Sequence, residues 1–302
     1  MRLFGPDFGK GAAGKWTDAA TGEHGDLLDL IAANRRLTTP RAVFDEARSF
    51  LSIPPPLPDR PMPISPGSPK AACRLFAMSQ PILGTIAETY LRERGISASR
   101  DTTALRFHPR CYYGADGASY TRSSEPRPAL IAAVTGFDGT VTGVQRTWLD
   151  PAGHGKAAVA APRRAMGHLL GNAVRFGAVL DIMAAGEGIE TMLSLRTIMP
   201  ALPMVAALSA NHLSALVLPS TLRRLYIARD NDPAGRRAAE TLSDRAQAGG
   251  LEALTLTPTL DDFNDDLRQL GTHALAAAVR VQLAPEDVAR FWMSERHIKA
   301  SR

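Results

Sequence analysis

Cysteine is nearly missing from this 302-residue chain. Only Cys73 and Cys111 occur; they lie far apart and lack CxxC spacing, so they can build neither a zinc ribbon nor a disulfide framework. No apolar run approaches the ~20 residues that span a membrane. The N-terminus lacks the apolar segment of a signal peptide, so a cytoplasmic location without membrane partners is expected. No GxxxxGK[ST] segment is present, which argues against an ATPase or helicase activity. His108, His154 and His168 lack metal-ligand spacing and are read as structural or surface groups. There is no internal repeat.

Charge is plentiful and unevenly placed. The net charge of +5 is by itself weak evidence for a polyanionic partner. Its distribution says more. Arg92, Arg94, Arg100, Arg106, Arg110, Arg122 and Arg127 are interleaved with Tyr112, Tyr113 and Tyr120, and Arg146, Lys156, Arg163, Arg164 and Arg175 follow. The acidic clusters lie between Glu187 and Asp266. A basic first half and an acidic second half suit an enzyme that holds a polyanion against metal ions.

Punctuation by Pro and Gly suggests five segments. Residues 1–52 are read as a small helical region, 53–77 as a Pro-rich linker, 78–178 as a basic α+β subdomain, 179–272 as an α/β domain, and 273–302 as a helical C-terminal segment. Within the α/β domain, strands are expected at 179–185, 203–208, 223–228 and 252–257. Helices are expected at 189–199, 211–217 and 233–248, with Gly249-Gly250 ending the last. Alternation of this kind calls for a parallel sheet covered by helices. Trp16 and Trp148 are read as core residues.

Three acidic clusters each follow one of those strands. Gly186-Glu187-Gly188 follows the first. Arg229-Asp230-Asn231-Asp232-Pro233-Ala234-Gly235 follows Leu225-Tyr226-Ile227-Ala228. Asp261-Asp262-Phe263-Asn264-Asp265-Asp266 follows Ala253-Leu254-Thr255-Leu256. Parallel strands bring such ends to one edge, where open α/β sheets bind ligands. Carboxylates meeting there without an Arg or Lys clamp repel, unless a hard cation sits between them. Pro233 suits the first turn of the following helix. The last cluster has a second reading, as caps for a helix starting near Phe263.

The three clusters resemble those of the Toprim domain of bacterial-type DNA primases, topoisomerases and some nucleases. Glu187 matches the family's Glu, Asp230 and Asp232 its Asp-x-Asp, and Asp262-Phe263-Asn264-Asp265 its last acidic segment. An Asp often stands four residues after the Glu; here that position is Thr191. Residues 81–96, with Tyr90-Leu91-Arg92-Glu93-Arg94-Gly95-Ile96, are similar to the helix that opens the primase catalytic core, of the kind carried by plasmids and mobile elements. Leu105–Pro109, Ala129–Val134 and Val141–Arg146 are similar to the strands that follow it. The segment from Gly14 to Ile31 is similar to the tail of a primase zinc-ribbon domain whose metal-binding half is expected to be absent.

The resemblance implies a Toprim domain preceded by a mixed α+β primase-type subdomain. It implies Mg2+ (or Mn2+) at Glu187, Asp230, Asp232 and Asp262, with no zinc, and catalysis through Glu187, Asp230 and Asp232. Arg106, Arg146, Lys156, Arg163 and Arg164 are implied to contact nucleic acid or nucleotide. The expected activity is metal-dependent synthesis of short primers on single-stranded DNA from nucleoside triphosphates, with a separate helicase or template-reading protein as a candidate partner. A Toprim nuclease and a non-catalytic single-strand-binding accessory protein are the alternatives. A topoisomerase is disfavoured, because no separate domain offers a catalytic tyrosine.

Overall fold

A computed structural model of the chain describes residues 2–3, 15–17, 24–50, 68–96, 103–113 and 125–292. Two compact units divide the chain after Pro63. Most of the Pro-rich stretch, together with Arg100, Tyr120, Arg122 and residues 293–302, lies outside the described residues.

The first unit is more than the expected small helical region. Three short antiparallel strands, β1 (Arg2–Leu3), β2 (Lys15–Thr17) and β3 (His24–Asp26), precede α1 (Leu27–Arg35) and α2 (Pro40–Phe50). Asp26 ends β3 and caps α1. Its carboxylate accepts from the Leu28 and Asp29 amides, and Asp29 accepts from the Asp26 amide in return. The half-buried Trp16 donates its indole N–H to the Asp26 carbonyl at 2.8 Å. Arg35 and Glu46 pair at 2.8 Å between the two helices.

The second unit opens with α3 (Pro69–Ala77) and α4 (Ile86–Glu93). Composition assigns residues 69–77 to the extended linker, yet they are helical. Ser68 caps this helix through the Ala71 amide and Pro69 occupies its first turn, so the last Pro of the Pro-rich stretch starts a helix. Helix α4 ends at Arg94, after which Gly95 takes a left-handed φ of 73° that only glycine adopts freely. That turn returns the buried Ile96 onto Leu91.

Four antiparallel strands follow in spatial order: β4 (Leu105–Tyr113), β5 (Glu125–Thr135), β6 (Val141–Trp148) and β7 (Arg163–Gly167). Alternation sends Cys111, Tyr113, Ala129, Ile131, Val144 and Trp148 into a small core shared with α3. Leu105, Phe107, Leu130, Ala132 and Val134 go to the main core.

The rest of the unit comprises β8 (Val174–Phe176), β9 (Ile182–Gly186), α5 (Ile189–Ile198), β10 (Met204–Ala206), α6 (Ala210–Ser214), β11 (Arg224–Ala228), α7 (Pro233–Ala248) and β12 (Glu252–Leu256). After these come α8 (Phe263–Asp265), a π-helical turn (Asp266–Leu270), α9 (Gly271–Arg280) and α10 (Pro285–Phe291). The sheet order is β12-β11-β9-β10-β8. The four expected strands are parallel, and β8, taken from the preceding segment, adds an antiparallel edge against β10.

Both faces of this sheet are covered, which explains the unbroken apolar runs in its strands. Ile182, Ala184, Met204, Tyr226 and Ala228 share a core with α5 and α9. Met183, Ala185, Val205, Leu225 and Ile227 share one with α6 and α7. A backbone bond from Thr135 to Ala173, 2.9 Å long, joins the end of β5 to the segment entering β8.

Candidate metal and nucleotide site

The strand ends are level. Gly186 of β9, Ala228 of β11 and Leu256 of β12 are register partners, so the residues just beyond them share one edge. Glu187 follows β9 directly. Its carbonyl accepts from the Leu208 amide at 2.8 Å, and Leu208 holds a left-handed φ of 78° that is costly for a branched residue. Asp232 caps α7 through the Gly235 amide at 2.6 Å. The Asn231 amide bonds the Asp261 carbonyl at 2.8 Å, lacing the Asp-x-Asp loop to the last acidic segment.

A small crevice of about 130 Å³ opens at this edge. Glu187, Glu190, Asp230 and Asp262 line it, together with Arg94, Gln145, Lys156 and Arg163. The Asp230 oxygen Oδ1 is buried without a hydrogen-bond partner. Burial, then the charges of Glu187, Asp262 and Asp232, push the Asp230 carboxyl up to about 7, against a smaller opposing effect of Arg163. Burial and Asp232 raise Glu187. Burial raises Asp262 too, although the Asp265 amide it caps opposes the rise. Mutually repelling acids around an orphaned oxygen are the surroundings in which a hard divalent cation is favourable.

The donor set fits such a cation. Asp230, with Glu187 and Asp262 beside it, would hold it, and Asp232 contributes charge from the cap of α7 although it does not line the crevice. Among the described residues, no three acidic, His or Cys side chains stand in a ready-made coordinating cluster. Magnesium does not require one, since one or two carboxylates with water and phosphate satisfy it.

The cations expected to meet a polyanion divide. Lys156 and Arg163 line the crevice. Arg106, Arg146 and Arg164 do not. Arg106 lies 4.9 Å from the Phe76 ring and donates to the Ser79 carbonyl, tying α3 to the sheet. Arg146 stacks on Trp148 at 5.0 Å, and Arg164 stacks on Tyr113 at 4.7 Å. Alternation along β6 and β7 decides this: neighbours on one strand face opposite ways, so Gln145 and Arg163 reach the crevice while Arg146 and Arg164 pack on aromatics. Arg94, which the sequence does not single out for the site, joins Lys156 and Arg163 in the lining.

The capping reading holds for one member of the cluster: Asp262 caps α8, accepting from the Asp265 amide at 2.8 Å. Asp266 is fully buried and accepts from the Thr259 and Leu260 amides, holding the loop that carries Asp262. Asn264 is buried. It accepts from Arg94 at 2.8 Å and donates to the Arg94 carbonyl and the Ser194 hydroxyl. Sequence reasoning does not select Arg94, Gln145 or Glu190 as site residues. The one available signal is Glu190's place in the first turn of the helix that follows Glu187. Thr191, where the resemblance places an Asp, is buried.

Residues 182–273 match the Toprim domain, and residues 66–176 match a domain of unknown function, DUF7146. No curated protein matches the chain. Its fold is similar to that of the zinc-binding and RNA polymerase domains of the Aquifex aeolicus primase, at 14% identity over 98% of this chain and 82% of that one, with a TM-score of 0.50. A DNA primase domain from Pseudomonas aeruginosa is 17% identical over 73% of this chain and 79% of its own, with a TM-score of 0.50. The E. coli primase catalytic core is 16% identical over 74% and 88%, also at 0.50. The chain carries a Toprim domain, and its fold is shared with bacterial primase catalytic cores. Among the described residues, no helix is long and apolar enough to cross a membrane.

Proposed function

We propose that the protein is a primase-like nucleotidyltransferase that joins nucleoside triphosphates into short primers on single-stranded DNA. The observation that carries this reading is the orphaned Asp230 oxygen among raised carboxyls, in one crevice with Arg94, Lys156 and Arg163. Acids and cations lining one crevice suit a triphosphate that brings its own magnesium. The cation supplies neutralisation of phosphate charge and of the attacking and leaving oxygens.

The protein's residues supply the remaining parts. Asp230, Glu187 and Asp262 would hold the cation through their carboxylate oxygens. Asp232 holds its charge close by while fixing the start of α7. Lys156 and Arg163 would bind phosphate oxygens, and Arg94, held by Asn264, would add a third positive charge.

The test is incubation of the full chain with single-stranded DNA, the four ribonucleoside triphosphates and Mg2+ or Mn2+. Labelled oligonucleotides lost in Asp232→Asn support the reading. Shortened DNA in place of new product replaces it with a metal-dependent nuclease. A gel shift unchanged by Asp230→Ala, without product or cleavage, leaves a single-strand-binding protein.

A further inference from the structure

Glu190 stands apart from the other acids of the crevice. It lies in the first turn of α5 and is buried, with 8% of its surface exposed. Its Oε1 accepts from the Tyr90 hydroxyl at 2.6 Å and stands 3.7 Å from the Lys156 ammonium. Tyr90 comes from α4, Lys156 from the connection between β6 and β7, and Glu190 from the Toprim half, so three separate segments converge on one carboxylate.

The Lys156 backbone is fixed independently. It forms an isolated bridge with Leu149, and the next amide, that of Ala157, bonds the Trp148 carbonyl at 2.9 Å. Its side chain then enters the crevice, where it stays 23% exposed. The groups facing it are Glu190 on α5, Arg94 at the end of α4 and Arg163 on β7. Two are cations, and Glu190 is the acid ion-paired with Lys156 among the described residues.

We propose that Glu190 is a positioning residue that holds the Lys156 ammonium in place and aimed into the crevice, where it binds the phosphates of a nucleoside triphosphate. The inference rests on the nucleotidyltransferase reading and deepens it. Burial lowers Lys156, Arg163 and Arg94 lower it further, and Glu190 opposes all three. Burial alone would raise Glu190, but Lys156 and then the Tyr90 hydroxyl outweigh it, so the carboxyl falls below its ordinary range and stays ionised. A buried pair made only for stability would be closed to solvent and replaceable by apolar side chains. This one opens into the crevice beside the orphaned oxygen of Asp230.

The experiment uses the full chain, with Mg2+ and a non-hydrolysable ATP analogue as the probe. Binding is measured calorimetrically for wild type, Glu190→Gln, Lys156→Ala and the double variant, with Arg164→Ala as the control outside the crevice. The Glu190→Gln change keeps the volume and an acceptor for Tyr90 while removing the charge. Amine-selective labelling of Lys156 is followed against pH by mass spectrometry in wild type and Glu190→Gln. We expect Glu190→Gln to weaken binding by roughly tenfold or more, with no further loss in the double variant over Lys156→Ala. Half-labelling of Lys156 should move down by about one pH unit, and the control should bind as wild type does.

Wild-type binding retained in Glu190→Gln, or Lys156 labelling that does not move, overturns the positioning role and leaves the nucleotidyltransferase reading standing. Absence of binding by wild type overturns both. If Glu190→Gln does not fold, Lys156→Ala decides: binding as tight as wild type overturns the proposal.

Discussion

Asp230→Asn should make the metal-free protein more stable and less responsive to magnesium. The Asp230 carboxyl is pushed from its ordinary 3.8 up to about 7, so the folded chain binds this proton more tightly than the unfolded chain. Below about pH 4 both states are protonated. Between about 4 and 7 the unfolded state ionises first, so this group's contribution to stability falls as the pH rises through that window. Above about 7 the loss is complete. A displacement of roughly 3 pH units corresponds to about 4 kcal/mol, and the crevice is open to solvent, so half of that, ~2 kcal/mol, is a fairer magnitude. The neutral amide keeps the shape and removes the repulsion. Urea unfolding in EDTA at pH 8 should therefore find Asp230→Asn more stable by ~2 kcal/mol, with the gap closing toward pH 4. Added Mg2+ should raise the melting temperature of wild type far more than that of the variant, since ligand binding stabilises only the state that binds. A variant no more stable than wild type at pH 8, or one that Mg2+ stabilises equally, would refute the reasoning.

Other substitutions separate the site from its scaffold. A Cβ at Gly235 would stand 2.8 Å from the Asp230 carbonyl, so Gly235→Ala should displace the Asp-x-Asp loop, reducing stability by about 1–3 kcal/mol and abolishing primer synthesis. Arg163→Ala should weaken binding of the ATP analogue, while Arg164→Ala, which loses its stacking on Tyr113, should cost only stability, read as a lower melting temperature with unchanged affinity. Arg224 pairs at 2.7 Å with Glu252, Glu286 and the buried Asp287. Arg224→Ala leaves Asp287 with the Tyr226 hydroxyl, and chemical denaturation should show a loss of about 2–4 kcal/mol.

The α/β order of the second half is legible in the sequence because its signals are local. Apolar runs of strand length, Pro233 opening a helix and Gly249-Gly250 closing it place those elements within three residues of where they form. The acidic clusters are legible for the same reason, since each directly follows a strand. Helix α3 escapes such reading because proline content masks a Ser-Pro helix start. The antiparallel edge strand β8 escapes it because three residues carry no periodicity.

The order of residues along the chain alone determined which carboxylates reach the sheet edge, because strand direction and spacing suffice to put Glu187, Asp230 and Asp262 there. Only the tertiary structure decided which cations face them. Arg163 and Arg164 are neighbours of the same chemistry, yet one lines the crevice and the other stacks on an aromatic ring. The orientation of β7 against β6 and the main core selects between them, and the burial of Glu190 against Tyr90 and Lys156 joins residues 100 positions apart in the case of the tyrosine. Those contacts are long-range packing outcomes, set by how two sheets and the helices between them close on each other, and no local pattern encodes them.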